Sequence, residues 1–309
     1  MAELADAERS LRERIGPALR VGFPLGPLTS FRIGGPAALF VEAEDDDALR
    51  AVGEVAAATG VPVAVIGKGS NVLIADDGFP GIVVRLGRGF RWAARDGDRL
   101  TAGGAMALPA FAGIAMRHHL GGLEFGVAIP ASLGGAVRMN AGAHDGSMSD
   151  VLEAIDVFVL PEGDRRRVTA ADAGFAYRRS DLPVDAVVVG AIARLRPDDE
   201  DRIRRRMEEA REWRRRTQPL AEANCGSVFK NPEGEHAARL IEAVGGKGLR
   251  VGGAHVSEKH ANFIVADSGA SAADVWELIE RVRDLVASAA GVRLETEVRL
   301  MGAVADARA

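Results

Sequence analysis

The sequence predicts mixed helices and strands folded into about two domains, and three observations carry that reading. At 309 residues the chain matches two domains of roughly 150 residues each. Its apolar positions alternate between strand-like runs and helical spacing, beginning with a strand–helix–strand unit over 37–66. At Asp198 the chain turns highly charged, and beyond it helix and strand alternate to the C-terminus. Composition fits: 47% hydrophobic and 27% charged residues suit a soluble globular protein and exclude a disordered or collagen-like one. A formal net charge of −5 leaves no general basic field for nucleic acid. The single cysteine excludes an intramolecular disulfide and a multi-thiolate zinc site, and fits a reducing, cytoplasmic setting. The first twenty residues are too charged for a signal peptide. No stretch reaches the ~20 apolar residues of a membrane span.

Element by element, residues 4–20 read as a helix and Ala37 to Ala43 as a short strand. Asp45 to Asp47 open a helix, where acidic residues suit the positive end of the dipole. Leu49, Val52, Val55 and Ala56 recur at helical spacing until Gly60 stops them. Val61 to Ile66 is β-branched and reads as a buried strand; Val72 to Ala75 and Ile82 to Leu86 continue the pattern. Asp96–Gly97 marks a hairpin turn. Leu108 to Leu120 reads as a helix stopped by Gly121 and Gly122, and a glycine-dense segment follows to Gly146. Ile155 to Leu160 and Val187 to Leu195 read as strands, and 198–216 as a charged helix closed by Pro219. Then come a helix over Glu235–Ala243, a strand over Asn262–Ala266, and a helix over Ala272–Ala289 opened by a Ser271/Asp274 capping box. Period-2 alternation over Val292–Leu300 puts Leu294, Thr296, Val298 and Leu300 on one face and Glu295, Glu297 and Arg299 on the other.

Four segments carry chemistry. GKGSN (Gly67, Lys68, Gly69, Ser70, Asn71) follows a strand, and its backbone N–H groups can close on a diphosphate; a plain connector is the alternative. It is neither a Walker A loop nor the GxGxxG fingerprint. Residues 122–147 combine Pro130, Ser132, Gly134, Gly135, Asn140 and Gly142 with Ile129, Val137 and Met139, which are too apolar for a solvated loop. Small residues there allow close contact with a large flat ligand. In FAYRRS, Arg178 beside Tyr177 can grip a carboxylate or phosphate, or be an exposed strand-end arginine. In NCGSVFKNP, Gly226 lets a turn expose Ser227, while Lys230 and Asn231 can bind a polar ligand. Cys225 reads as a small buried residue before a nucleophile. The histidines have no metal-site spacing.

In order, LTSFRIGGPA, GKGSNVLIAD, GLEF…IP…GGAV…MNAG, YRRS, CGSVFKNP, GGAHVSEKHANFIV and LETEVRLMG resemble the UDP-N-acetylenolpyruvoylglucosamine reductase family over about nine-tenths of the chain. CGSVFKNP and SEKHANF are similar to its shorter class, which lacks an extra capping loop. The resemblance implies an α+β fold, with an FAD-binding region of the vanillyl-alcohol-oxidase type and a C-terminal substrate lobe. It implies FAD reduced by NADPH, then hydride transfer to a UDP-sugar enolpyruvyl ether. It makes Arg178, Ser227 and Glu297 the catalytic positions, Ser227 as proton donor. Gly67 to Asn71, Ile129, Pro130, Ser132, Gly134, Gly135, Asn140 and Gly142 become FAD contacts, with Arg299 near the flavin. Tyr177, Lys230 and Asn231 become substrate-side residues. The expected layout is an N-terminal helical segment (1–27), an FAD region (28–197, split near 92), a substrate domain (198–302) and a tail (303–309), in a cytoplasmic monomer. Ala131 replaces a glycine and Ala266 an asparagine of the family pattern. An oxygen-reacting oxidase of the same fold and a non-catalytic sugar-nucleotide binder are the competing readings.

Overall fold

Helix α1, Ala2–Ile15, opens the computed structural model, which describes residues 2–303. It ends five residues short of the expected limit because Gly16, at φ +47°, and Pro17 break it. A strand, Leu19–Pro24, follows where none was expected. Two compact units make up the chain, each assembled from separate stretches. One takes the residues up to Val21, Leu39–Lys68 and Gly81–Trp213; the other takes Gly22–Ala38, Gly69–Pro80 and the residues from Arg214 on.

Helix α2, Asp46–Thr59, lies in the first unit. Asp45 caps it by accepting from Ala48 N at 2.9 Å, and Gly60 ends it at φ +72°. Its face of Leu49, Val52 and Val55 is buried. Gly53 lets the helix approach the sheet, since a Cβ there would stand 1.9 Å from the Leu160 carbonyl. A four-stranded sheet has the order Leu19–Pro24, Pro36–Ala43, Phe79–Leu86, Val63–Val65, its last pair parallel. A five-stranded antiparallel sheet has the order Asp164–Thr169, Leu152–Val159, Ala186–Arg194, Arg99–Gly103, Ala93–Asp96. Helices α3 (Leu108–Arg117) and α4 (Leu133–Arg138) close its core with Phe111, Leu133 and Val137. Helix α5, Glu200–Thr217, buries only Ile203, Met207 and Ala210, as its charge pattern requires.

The second unit holds α6 (Ala237–Ala243), α7 (Ala272–Ala290) and an antiparallel sheet of Arg250–Val251, Ala254–Val256 and Ile264–Ala266. A parallel pair joins Val72–Ile74 to Arg299–Met301. Phe31, Leu73, Val228, Phe229, Val275 and Leu278 lie in its core. The first turn of α7 has every backbone donor satisfied. Ser271 and Asp274 form the expected capping box, and the Asp76 carboxylate accepts from Ala272 N at 2.8 Å and Ala273 N at 3.0 Å. The strand expected over Val292–Leu300 is regular only at Arg299–Met301. Burial jumps from Val298 to Met301 and leaves Leu300 43% exposed, so the alternation breaks there. Of the expected tail, 304–309 lie outside the described residues. No helix among the described residues is long and apolar enough to cross a membrane.

Candidate active site

Backbone pairing in the second unit sets Ser227 beside Glu297. Glu297 N donates to the Val228 carbonyl at 2.8 Å, Phe229 bridges to Thr296, and Lys230 N donates to the Glu295 carbonyl at 2.9 Å. The loop residue Asn71 joins the same spot: its Nδ2 donates to the Glu297 carbonyl at 3.1 Å and its carbonyl accepts from Arg299 N at 3.1 Å. Asn71, Ser227, Glu297 and Arg299 therefore converge on one edge of this unit. Gly226, at φ +81°, makes the turn that presents the half-buried Ser227. Burial, and then the Glu297 charge, push the Cys225 thiol up, which keeps it protonated and unreactive.

Lys230 and Asn231 are held close to this edge but are engaged in the protein itself. Lys230 Nζ pairs with Glu295 at 2.5 Å, and Asn231 Oδ1 accepts from Ala237 N at 3.1 Å at the start of α6.

In the first unit, Tyr177 and Arg178 form the tip of a two-residue hairpin, with Ala176 and Arg179 exchanging hydrogen bonds of 3.0 and 3.1 Å. Arg178 sits at φ +57°, the left-handed region an arginine seldom occupies. Its guanidinium lies 5.0 Å from the Tyr177 ring centroid, and Nη2 donates to the Gly142 carbonyl at 2.9 Å. That bond ties Arg178 to the glycine-dense segment. The segment is not a loop throughout: Ser132 caps α4 by accepting from Gly135 N at 3.3 Å. Asn140 is 6% exposed and uses its amide internally, donating to the Ala176 carbonyl and accepting from Ser149 N. It braces the hairpin that carries Arg178. Ile129 is half-buried and Pro130 exposed, while Gly134 packs on the strand Ala186–Arg194, where a Cβ would stand 2.8 Å from the Val188 carbonyl.

Whether a flavin nucleotide fits can be tested on the Gly67–Asn71 loop. Among the described residues, no acceptor faces the backbone N–H of Gly67, Lys68, Gly69, Ser70 or Asn71. Consecutive unsatisfied donors form a nest for an anion such as a diphosphate. A Cβ at Gly67 would stand 2.4 Å from Ser132 Oγ, so Gly67 and Ser132 are neighbours. At Gly69, φ is +60° and a Cβ would stand 2.3 Å from the Leu28 carbonyl, so only glycine suits the turn. These features fit FAD. Among the described residues, no group of three or more His, Cys, Asp or Glu is placed to hold a metal.

Two asparagines escaped the sequence reading. Asn224 Oδ1 accepts from Gly226 N at 2.9 Å and shapes the turn before Ser227. Asn262, 4% exposed, binds the backbone of Phe229 through both ends of its amide. The signal for Asn262 lies in its motif, SEKHANF, which marks the family's shorter class but gives the asparagine no task of its own.

Two family models match the chain. One, described as the UDP-N-acetylenolpyruvoylglucosamine reductase C-terminal domain, covers residues 218–301; the other, an FAD binding domain, covers 37–169. A UDP-N-acetylenolpyruvoylglucosamine reductase of Heliobacterium modesticaldum is 47% identical over 281 residues, 90% of this chain and 89% of that protein. A second, from Symbiobacterium thermophilum, is 44% identical over 98% of both chains. The crystal structure of the reductase from Thermus caldophilus aligns with a TM-score of 0.80 at 38% identity, covering 92% of this chain and 100% of that one.

Proposed function

Because the chain belongs to the UDP-N-acetylenolpyruvoylglucosamine reductase family, we propose that Ser227, Glu297 and Arg178 carry its chemistry. The protein is a flavin-dependent oxidoreductase of peptidoglycan precursor synthesis, reducing UDP-N-acetylglucosamine enolpyruvate to UDP-N-acetylmuramate. FAD, when bound, supplies the hydride relay from NADPH to the vinyl carbon of the substrate. The chain's own residues bind, orient and protonate. The N–H groups of Gly67 to Asn71 hold the cofactor diphosphate, and Ile129, Pro130, Ser132, Gly134, Gly135, Asn140 and Gly142 lie along its surface. Arg299 faces the flavin. Tyr177, Lys230 and Asn231 line the sugar-nucleotide side. By stretches of chain, 28–197 serve the cofactor and 198–302 the substrate. The enzyme works in the cytoplasm as a monomer.

Hydride addition leaves negative charge on a carbon skeleton conjugated with the substrate carboxylate. The Arg178 fork stabilises that charge. Its Nη2 bond to the Gly142 carbonyl ties the guanidinium to the glycine-dense segment. Ser227 Oγ delivers the proton to carbon, and Glu297, on the paired segment, polarises the intermediate or helps reprotonate the site. The observation that supports these roles best is the Glu297 N to Val228 carbonyl bond, which fixes the two segments in register.

Anaerobic stopped-flow absorbance of the FAD-loaded protein tests the assignment. Ser227→Ala is expected to slow flavin reoxidation by the enolpyruvyl sugar nucleotide ~10²–10⁴-fold, the scale of a lost general acid. Bleaching by NADPH should be unchanged. Equal loss in both half-reactions refutes the proton-donor role.

A further inference from the structure

Ser227 stands on a bulge. The segment Ala223–Phe229 runs antiparallel beside Asn262–Ala266, and it is pinned at two places. Upstream, Ala266 N donates to the Ala223 carbonyl at 2.9 Å, and Asn224 bridges to Val265. Downstream, Val228 N donates to the Asn262 carbonyl at 2.9 Å. Between the pins lie Cys225, Gly226 and Ser227 on one side and only Phe263 and Ile264 on the other. The serine strand carries one extra residue, with Gly226 left-handed at its centre. A bulge of this kind re-aims a side chain, and a strand interrupted by glycine specifies its register weakly. A one-residue slide would turn Ser227 to the opposite face.

The Asn262 side chain closes the downstream pin. Its Oδ1 accepts from Phe229 N at 2.9 Å and its Nδ2 donates to the Phe229 carbonyl at 2.8 Å. The amide thus imitates a strand partner past the point where the regular strand Ile264–Ala266 begins. Among the described residues, the amide's hydrogen bonds go to Phe229 and not to Ser227. We propose that Asn262 is a positioning residue for proton delivery: it locks the register of the bulge and so holds Ser227 Oγ toward the reacting carbon. This rests on the reading of Ser227 as proton donor.

The test uses FAD-loaded enzyme and both half-reactions. Asn262→Asp keeps the acceptor for Phe229 N and removes the donor to the Phe229 carbonyl; Asn262→Ala removes both. Each should slow flavin reoxidation by the enolpyruvyl sugar nucleotide ~10–100-fold, the scale of a catalytic group misplaced by about an ångström. Reduction by NADPH and substrate affinity should stay within about threefold, a margin that a general loss of fold would exceed. In a Ser227→Ala background, Asn262→Asp should add less than about twofold, because residues acting through one group are not additive. Should Asn262→Ala not fold, Gly226→Ala disturbs the same bulge from the other side. Its Cβ meets no atom within 4 Å but must sit at φ +81°, and it should give the same split. Losses that multiply in the double variant, or that strike both half-reactions alike, overturn the positioning role. A Ser227→Ala enzyme with normal reoxidation would instead refute the proton-donor reading and take this role with it.

Discussion

Asp76→Ala tests how a residue from the first quarter of the chain anchors a helix in the last. The carboxylate accepts from Ala272 N and Ala273 N at 2.8 and 3.0 Å, and no other group serves those two donors among the described residues. Ala272 is fully buried, so water cannot replace the lost acceptor. Leaving that N–H unsatisfied costs about 1–3 kcal/mol. Ala273 is part-exposed and recovers water, but the negative charge at the helix N-terminus is lost, worth ~0.3–1 kcal/mol. Together these predict ~1–4 kcal/mol for Asp76→Ala. Asp76→Asn keeps one acceptor and loses the charge, so about half that loss is expected. Urea unfolding followed by circular dichroism, compared at constant slope, measures both. The capping box at Ser271 and Asp274 stays intact in either variant and sets a floor to the damage. A change below ~0.5 kcal/mol for Asp76→Ala, the usual range for inconsequential surface substitutions, refutes the reasoning. So does an asparagine variant as damaged as the alanine one.

Arg178→Lys should lower turnover at least ~10²-fold, since an ammonium cannot hold the Gly142 carbonyl and present a planar fork together; near-normal steady-state turnover would remove Arg178 from the mechanism. Cys225 supplies a pH test. Its raised pKa means the native state keeps the thiol proton where the unfolded chain releases it, so the stabilisation is complete below the ordinary thiol range and is lost as pH rises through it. Urea midpoints taken from pH ~7 to ~10 should fall less steeply for Cys225→Ala than for the parent, and iodoacetamide should modify the parent only once it is unfolded. Identical slopes, or alkylation of the native protein, would contradict this.

Much of the scaffold was legible in local signals. Asp45 and Gly60 bracket α2 as expected, and the Ser271/Asp274 box opens α7, because caps are set by neighbouring residues alone. The strands Pro36–Ala43, Leu152–Val159 and Ala186–Arg194 were visible as apolar runs. Asp164–Thr169 was not: it is a largely exposed, arginine-rich edge whose only cue is its partner strand. The end of the chain misled for a related reason. Val292–Leu300 alternates like a strand, yet it divides its partners between Val228–Lys230 and Val72–Ile74, and periodicity carries no record of which partner changes where. At the candidate site, the residue types at Ser227, Glu297 and Arg178 pointed to chemistry only when taken together with the family pattern. The pairing that sets Ser227 beside Glu297 spans most of the C-terminal third. The amides of Asn71, Asn140 and Asn231 bind backbone in the structure, roles that no sequence spacing announces.

The parallel pair of Val72–Ile74 with Arg299–Met301 also bears on how the protein is made. On the ribosome, the earlier strand emerges long before its partner exists. From Ile74 to Arg299, translation at ~5–20 residues per second takes ~10–45 s. Throughout that interval Val72, Leu73 and Ile74, all buried in the finished protein, are a sticky nascent segment with an open edge. The second unit closes only when Arg299–Met301 leave the exit tunnel, so a ribosome stalled short of Glu297 releases a chain whose Asn71 amide has no Glu297 carbonyl to hold.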